Sequence, residues 1–198
     1  NPPVVITGQT TAITANLTTL TGTVNPKGLS ATAWFEYGTS IGSYRDKTST
    51  QNIEGSSSDT RIRYRLDGLQ AGATYYYRLV VQNSTGVIYG SEAVFKTNPP
   101  KGKIYGYIEY VIGNKPIELA RIQLKGTKSR KRSLKVIFSD AQGAFKFNDL
   151  DTDTYDISVT KTGYQNARQT VELKEGERKK VEIKVMRMKG EDRGKSSP

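Results

Sequence analysis

Neither cysteine nor histidine occurs in this sequence. Without cysteine there is no disulfide, no thiol nucleophile and no thiolate metal site. Redox compartment therefore cannot be read from cysteine usage. Without histidine the Ser-His and Cys-His pairs that activate nucleophiles are excluded, and so is every His-ligated zinc site. The chain accordingly reads as a non-enzyme that carries no cofactor. Carboxylates alone remain for acid–base chemistry. A glycosidase needs two of them about 5–10 Å apart in a cleft, whereas small sandwiches offer flat faces and edges. Long apolar runs are missing too. No segment approaches the ~18 residues of a membrane span, so no transmembrane segment is expected. Helical periodicity is absent over any long stretch. The chain opens Asn1-Pro2-Pro3 without an initiator methionine and reads as a piece of a larger protein.

What is present points to strands. Twelve tyrosines accompany many threonine, valine and isoleucine residues, and these types favour pleated, half-buried surfaces. The clearest stretch runs from Ser139 to Tyr164. Phe145 and Phe147 alternate with Lys146, and Tyr155, Ile157 and Val159 alternate with Asp156 and Ser158. A period of two means one dry face and one wet face. Asp140 and Gly143 supply the turn before the first of these strands, and Gly163 the turn after the second.

The length of 198 residues suits two β domains of about 100 residues each. The break is Thr97-Asn98-Pro99-Pro100-Lys101-Gly102, a stiff, solvated connector. Charge divides at the same place. Residues 1–100 carry 8 Lys/Arg and 6 Asp/Glu, whereas residues 101–198 carry 22 and 13. The predicted organisation is a first sandwich over 1–98, a Pro-Pro linker over 99–102, a second sandwich over 103–188 and a disordered polar tail over 189–198. In the first half the expected strands are Val4–Thr10, Leu17–Val24, Ala31–Tyr37, Arg61–Leu66, Tyr75–Val81 and Tyr89–Lys96. Leu69, the Gly72 turn and Tyr75 at a strand start form the arrangement of a tyrosine corner, whose hydroxyl bonds back to the backbone upstream.

Residues 3–97 resemble a fibronectin type III domain. The resemblance rests on Leu20-Thr21-Gly22-Thr23-Val24-Asn25-Pro26, Phe35-Glu36-Tyr37-Gly38, the Leu69–Tyr75 corner, Val81-Gln82-Asn83 and Phe95-Lys96-Thr97. Two departures stand out: Ala71 where the family's corner usually has proline, and Trp34, the single tryptophan, on the third strand rather than the second. Residues 103–187 resemble a carboxypeptidase regulatory-like domain through Ile104-x-Gly106-x-Ile108, Ala120-x-Ile122-x-Leu124 and the run Asp140–Tyr164. That family is the non-catalytic companion of zinc carboxypeptidases, with a seven-stranded transthyretin-like fold. The resemblances imply an all-β chain of two tandem Greek-key β-sandwiches, the first immunoglobulin-like and the second prealbumin-like. They imply a spacer or adhesion module of a secreted or cell-surface protein. The alternative is a carbohydrate- or polyanion-binding accessory module of an extracellular enzyme. The expected partners are a protein or polysaccharide at the cell surface or an acidic polymer.

Three features are candidate sites. Lys125, Lys128, Arg130, Lys131, Arg132 and Lys135 crowd one hairpin, suited to a polyanion or simply to a solvated loop that deters aggregation. No aromatic residue interleaves with them, so a stacking site for single-stranded nucleic acid is not expected. Asp149, Asp151 and Asp153 are spaced like the start of a calcium loop. The sixth position is Thr154 rather than glycine and the twelfth is Thr160 rather than glutamate, so a plain acidic turn is the other reading. If Phe35, Tyr37, Tyr75 and Tyr77 face the core, then Trp34, Glu36, Tyr76, Arg78 and Val80 point outward. Trp34 and Tyr76 would then share a face able to stack on sugar or anchor a protein.

Overall fold

A computed structural model describes residues 1–128 and 133–188. The expected disordered tail over 189–198 lies outside the described residues. The chain divides into two compact units, one ending at Pro100 and one beginning at Lys101. Among the described residues every regular element is a strand.

The first unit is built from β1 (Val4–Thr7), β2 (Thr18–Asn25), β3 (Ala31–Gly38), β4 (Asp46–Lys47), β5 (Gln51–Ile53), β6 (Thr60–Leu66), β7 (Thr74–Asn83), β8 (Gly86–Tyr89) and β9 (Ala93–Lys96). One sheet has the order β1-β2-β6; the other runs β4-β3-β7-β8, with β5 also pairing β3 and β9 also pairing β7. All of these pairings are antiparallel. The alternation read from the sequence decides which side chains meet between the sheets. In β2 the inward set includes Leu20 and Val24, in β3 Ala33 and Phe35, and in β7 Tyr77 and Leu79, all essentially sealed from solvent. Tyr75 stacks on Phe95 with centroids 5.4 Å apart, and Tyr77 meets the same ring edge-on at 5.7 Å.

The corner closes as its residues require. The Gln70 N–H donates to the Tyr75 hydroxyl at 2.9 Å, and Gly72 turns the chain at φ +70°. Three sequence expectations need correction. The stretch Tyr89–Lys96 is two strands, because Gly90 carries the chain between β8 and β9; its N–H bonds to the Leu79 carbonyl, and a Cβ there would strike the Thr7 hydroxyl. Strands β4 and β5 were not foreseen, because short polar segments such as Asp46–Lys47 have no apolar period. Val80 does lie on the outer face, yet it is fully buried.

The second unit contains β10 (Gly102–Tyr110), β11 (Arg121–Gly126), β12 (Leu134–Phe138), β13 (Ala144–Leu150), β14 (Asp153–Thr160), β15 (Ala167–Leu173) and β16 (Arg178–Val185). The order is β13-β10-β16 in one sheet and β12-β11-β14-β15 in the other. Among the described residues only the β10–β16 pair is parallel. The core comprises Ile104, Ile108, Ile122, Leu124, Phe145, Phe147, Tyr155, Ile157, Val159, Val171, Leu173, Val181 and Ile183 with their neighbours. The Asp140–Gly143 turn forms as the residues suggest. The Asp140 carboxylate accepts the N–H groups of Gln142 and Ala144 at 3.0 and 2.8 Å, and Gly143 takes φ +72°. Ser139 before it is buried. Its hydroxyl donates to the Ile117 carbonyl at 2.6 Å and accepts the Ala120 N–H at 2.9 Å.

Candidate functional site

The outer face of the larger sheet in the first unit brings together the aromatic candidates. Antiparallel register sets Trp34 opposite Val80, Glu36 opposite Arg78 and Gly38 opposite Tyr76. Trp34 and Tyr76 thus share a face, four residues apart along the ladder, on the order of 13 Å at ~3.3 Å per residue. Between them lies an ion pair: Arg78 donates from both Nε and Nη2 to one carboxylate oxygen of Glu36, at 3.0 and 2.8 Å. The Arg78 guanidinium is also clasped by two rings, 4.4 Å from the Tyr44 centroid and 4.1 Å from that of Tyr89. Planar, weakly hydrated guanidinium suits such a stack.

A carboxylate anchors the clasp from the rim. Glu92 accepts the Tyr44 hydroxyl at 2.5 Å and the Gly42 N–H at 2.8 Å. Its hydrogen bond from Tyr44, followed by that from Gly42, holds the Glu92 carboxyl below the usual range. Burial, then the bond to Glu92, pushes the Tyr44 hydroxyl up to about 12. Trp34 is half-buried, and its indole N–H is covered without an acceptor among the described residues. Tyr44, Tyr89 and Glu92 were not singled out in the sequence, and Glu36 was placed on the outer face without its pairing to Arg78. Glu36 alternates outward beside Trp34, which was a usable signal. The approach of Tyr44 and Tyr89 depends on loop path and on β8 pairing, which no local pattern encodes.

The three aspartates of the acidic turn do different jobs. Asp149 adopts a left-handed backbone, φ +54°, where the β10–β13 register shifts between Gly102 and Ile104; the extra residue is a β-bulge. Asp151 is exposed and pairs with Lys101. Asp153 is buried, and one carboxylate oxygen accepts the N–H groups of Lys128 at 2.9 Å and Thr154 at 2.7 Å. It therefore pins the root of the basic hairpin to the start of β14. Among the described residues no group of three Asp, Glu, His or Cys is placed to hold a metal ion.

Of the basic hairpin, Lys125, Lys128 and Lys135 can be placed, while Arg130, Lys131 and Arg132 lie outside the described residues. Lys125, next to last in β11, is exposed, Lys128 lies 3.8 Å from Glu172, and Lys135 donates to the Asn148 carbonyl at 2.9 Å. Beside Lys125 the outer face of β11, β14 and β15 forms a polar shelf of about 420 Å³ that includes Gln123, Asp156, Ser158, Arg168 and Thr170. A second hollow, about 540 Å³, lies along Tyr105, Tyr107, Ile137, Phe138 and Phe145. Among the described residues no helix is long and apolar enough to cross a membrane.

Curated proteins give no match to this chain. Among solved structures, the Bacillus anthracis TIE protein is 12% identical at a TM-score of 0.44, with 93% of this chain aligned to 41% of that one. This chain thus spans less than half of that protein's length. The group B streptococcus pilus 2b backbone protein is 12% identical at 0.43, covering 96% of this chain and 99% of its own. BcpA, the major pilin subunit of Bacillus cereus, is 11% identical at 0.45, covering 94% and 71%. At these TM-scores nothing is carried over to this chain. The second unit is specific in another way: residues 103–186 match the family model of the carboxypeptidase regulatory-like domain, which supports a domain of that family in this segment.

Proposed function

We propose that this chain is a non-catalytic spacer or adhesion module of a larger secreted or cell-surface protein. Its first unit, on this reading, is fibronectin type III-like, joined through Pro99-Pro100 to the carboxypeptidase regulatory-like unit. Support for the fibronectin reading comes from the pair of antiparallel sheets, one of three strands and one of six, and from the Tyr75 corner. The observation that carries the functional reading is how the chain spends its polar groups. The Glu36–Arg78–Tyr44–Glu92 cluster satisfies itself, Asp153 and Ser139 tie loops to strands, and each unit seals an apolar core of its own. Such groups build well-formed surfaces, and the one strongly shifted pair in the cluster, Tyr44 and Glu92, is shifted in part by the bond each makes to the other on the exposed rim rather than in a cleft.

A carbohydrate- or polyanion-binding accessory role is the second reading. The Trp34–Arg78–Tyr76 face would serve sugars and the 125–135 hairpin would serve anions. A retention screen against insoluble polysaccharides, cell-wall preparations and acidic polymers separates these roles. It is run at low salt and at physiological salt, where the screening length is about 8 Å. Salt-resistant retention lost in Trp34→Ala makes the chain a carbohydrate module. Retention that falls with salt, and falls again when Lys125, Lys128 and Lys135 are neutralised, makes it a polyanion anchor. Retention on protein-bearing wall preparations alone supports adhesion. Turnover of any polysaccharide in the same screen would sink the non-catalytic reading.

A further inference from the structure

Among the described residues β12, β13, β15 and β16 of the second unit each pair on one side only, and of these four β12 is the one with large apolar side chains exposed. Among the described residues it pairs with β11 alone. The phase of that pairing is fixed at both ends: the Gly126 N–H bonds to the Ser133 carbonyl at 3.1 Å, and the Ser139 N–H to the Ala120 carbonyl at 3.0 Å. Hydrogen-bonded pairs alternate in an antiparallel ladder, so Lys135 and Ile137 turn their backbone groups to β11. Leu134, Val136 and Phe138 direct their N–H and C=O groups to the free edge. The side chains of these same three residues stand on the outer face at 58%, 40% and 58% exposure. The hollow bordered by Ile137, Phe138, Tyr107 and Phe145 continues this apolar strip around the end of the strand.

Proteins commonly blunt such an edge with proline, bulges or charged residues. Here the described edge, Leu134-Lys135-Val136-Ile137-Phe138, has no proline, and its one lysine is drawn away to the Asn148 carbonyl of β13. Charge surrounds the strip unevenly. Lys125 sits opposite Leu134, with Lys128 on the loop beyond it, and Arg121 sits opposite Phe138. Asp140 lies at the Phe138 end, with its carboxylate already engaged by two backbone N–H groups.

We propose that β12 is a docking edge that accepts an extended, acidic segment of another polypeptide as an added strand. The segment's main chain would pair with Leu134, Val136 and Phe138, its alternate apolar side chains would lie along the exposed strip, and its carboxylates would meet Lys125 and Lys128. Main-chain pairing gives such a complex its affinity and the side-chain strip its selectivity. The cationic surroundings select this occupant over a second copy of the chain, since residues 101–198 carry 22 Lys/Arg against 13 Asp/Glu and like charges repel. The proposal rests on the reading of the chain as an interaction module and names the surface and the partner's chemistry.

The test uses the whole chain and a dye-labelled peptide that alternates valine with threonine and ends in a run of glutamates, followed by fluorescence anisotropy. Val136→Pro removes one outward N–H while sparing the ladder to β11, because proline is tolerated at the free edge of a strand. The expected result is binding that weakens about tenfold in Val136→Pro, as for loss of one good hydrogen bond, and also in the Leu134→Ser/Phe138→Ser double variant. Thermal melts by circular dichroism check that both variants fold. An N-methylated peptide against the unaltered chain repeats the test without touching the protein, and it is expected to bind weakly. The proposal is overturned if the N-methylated peptide or polyglutamate binds as tightly as the parent, which would leave charge alone. Absence of peptide binding up to millimolar also overturns it, as does self-association of the unaltered chain that Val136→Pro abolishes. Retention of Val136→Pro on wall preparations, measured alongside, separates the two readings. Retention without peptide binding defeats only the docking edge, and loss of both in the unaltered chain defeats the interaction reading as well.

Discussion

At the scale of single residues, three tyrosines hold the two units by hydroxyl groups that reach backbone. Tyr75 accepts the Gln70 N–H, Tyr77 donates to the Gly8 carbonyl at 2.6 Å, and Tyr155 donates to the Asp151 carbonyl at 2.9 Å. In Tyr75→Phe the ring stays on Phe95 while a part-buried N–H loses its acceptor. A net loss of about 1–2 kcal/mol is expected in urea titrations, with unchanged m-value. A larger m-value change with no shift in midpoint would contradict this account. Tyr77 and Tyr155 also carry a pH dependence. Burial pushes both hydroxyls up to about 12, with Asp153 and Asp151 adding to the effect at Tyr155, against an ordinary value near 10. A group whose folded pKa is raised contributes fully below the unfolded value and loses that contribution above it. Stability is therefore expected to be level with respect to these groups up to about pH 10. Between about pH 10 and 12 it should fall, by at most ~1.4 kcal/mol per pH unit for each tyrosine. Denaturant titrations at stepped pH check this. Tyr155→Phe should lessen the slope of the second unit's transition and leave the first unit's unchanged, and an unchanged slope in both transitions of the Tyr77→Phe/Tyr155→Phe double variant would assign alkaline loss to other groups.

At the scale of elements, the parallel pair β10–β16 depends on a missing side chain. Gly106 sits in register with Val181, and a Cβ built on it would run into the Val181 carbonyl oxygen. That atom belongs to the backbone and has no rotamer to yield. Gly106→Ala is thus expected to destabilise the second unit by roughly 1–3 kcal/mol, the cost of a forced shift in a packed core. Amide exchange checks where the damage falls: protection should drop in β10 and β16 first and remain in β2 and β7. Elements are also where the sequence was most and least legible. Alternation found β2, β3, β6, β7 and β14 nearly to their ends, because one buried face forces a period of two. The same rule missed the burial of Val80, which depends on what covers the outer face rather than on its own strand. It missed the Tyr44–Arg78–Tyr89 clasp for a related reason, since three separate segments must converge to make it. Outward Trp34, Tyr76 and Arg78 were readable as sharing one face; the Glu36 pair and the covered indole N–H that occupy the face were not.

At the scale of the whole chain, each of the two compact units is expected to be a unit of stability of its own. Each of the two sets of buried residues closes on itself, one around Leu20, Phe35, Tyr77 and Leu79, the other around Ile104, Ile122, Ile157 and Leu173. Roughly 100 residues suffice for such a core. The single tryptophan, Trp34, is in the first unit, so its fluorescence reports unfolding there and nowhere else. This permits a clean separation. Phe35→Ala removes a fully buried ring and is expected to cost about 3–5 kcal/mol, and Ile157→Ala about 2–5. If the units fold as independent domains, Phe35→Ala shifts the Trp34 fluorescence transition and leaves the protection of β11 and β14 against amide exchange intact. Ile157→Ala should do the reverse. Segments 1–100 and 101–188, prepared separately, should each reproduce the transition of their own half. A Trp34 transition that moved by a comparable amount in Ile157→Ala would show instead that the two cores unfold as one cooperative body, and the chain would then act as a single rigid element rather than as two modules in series.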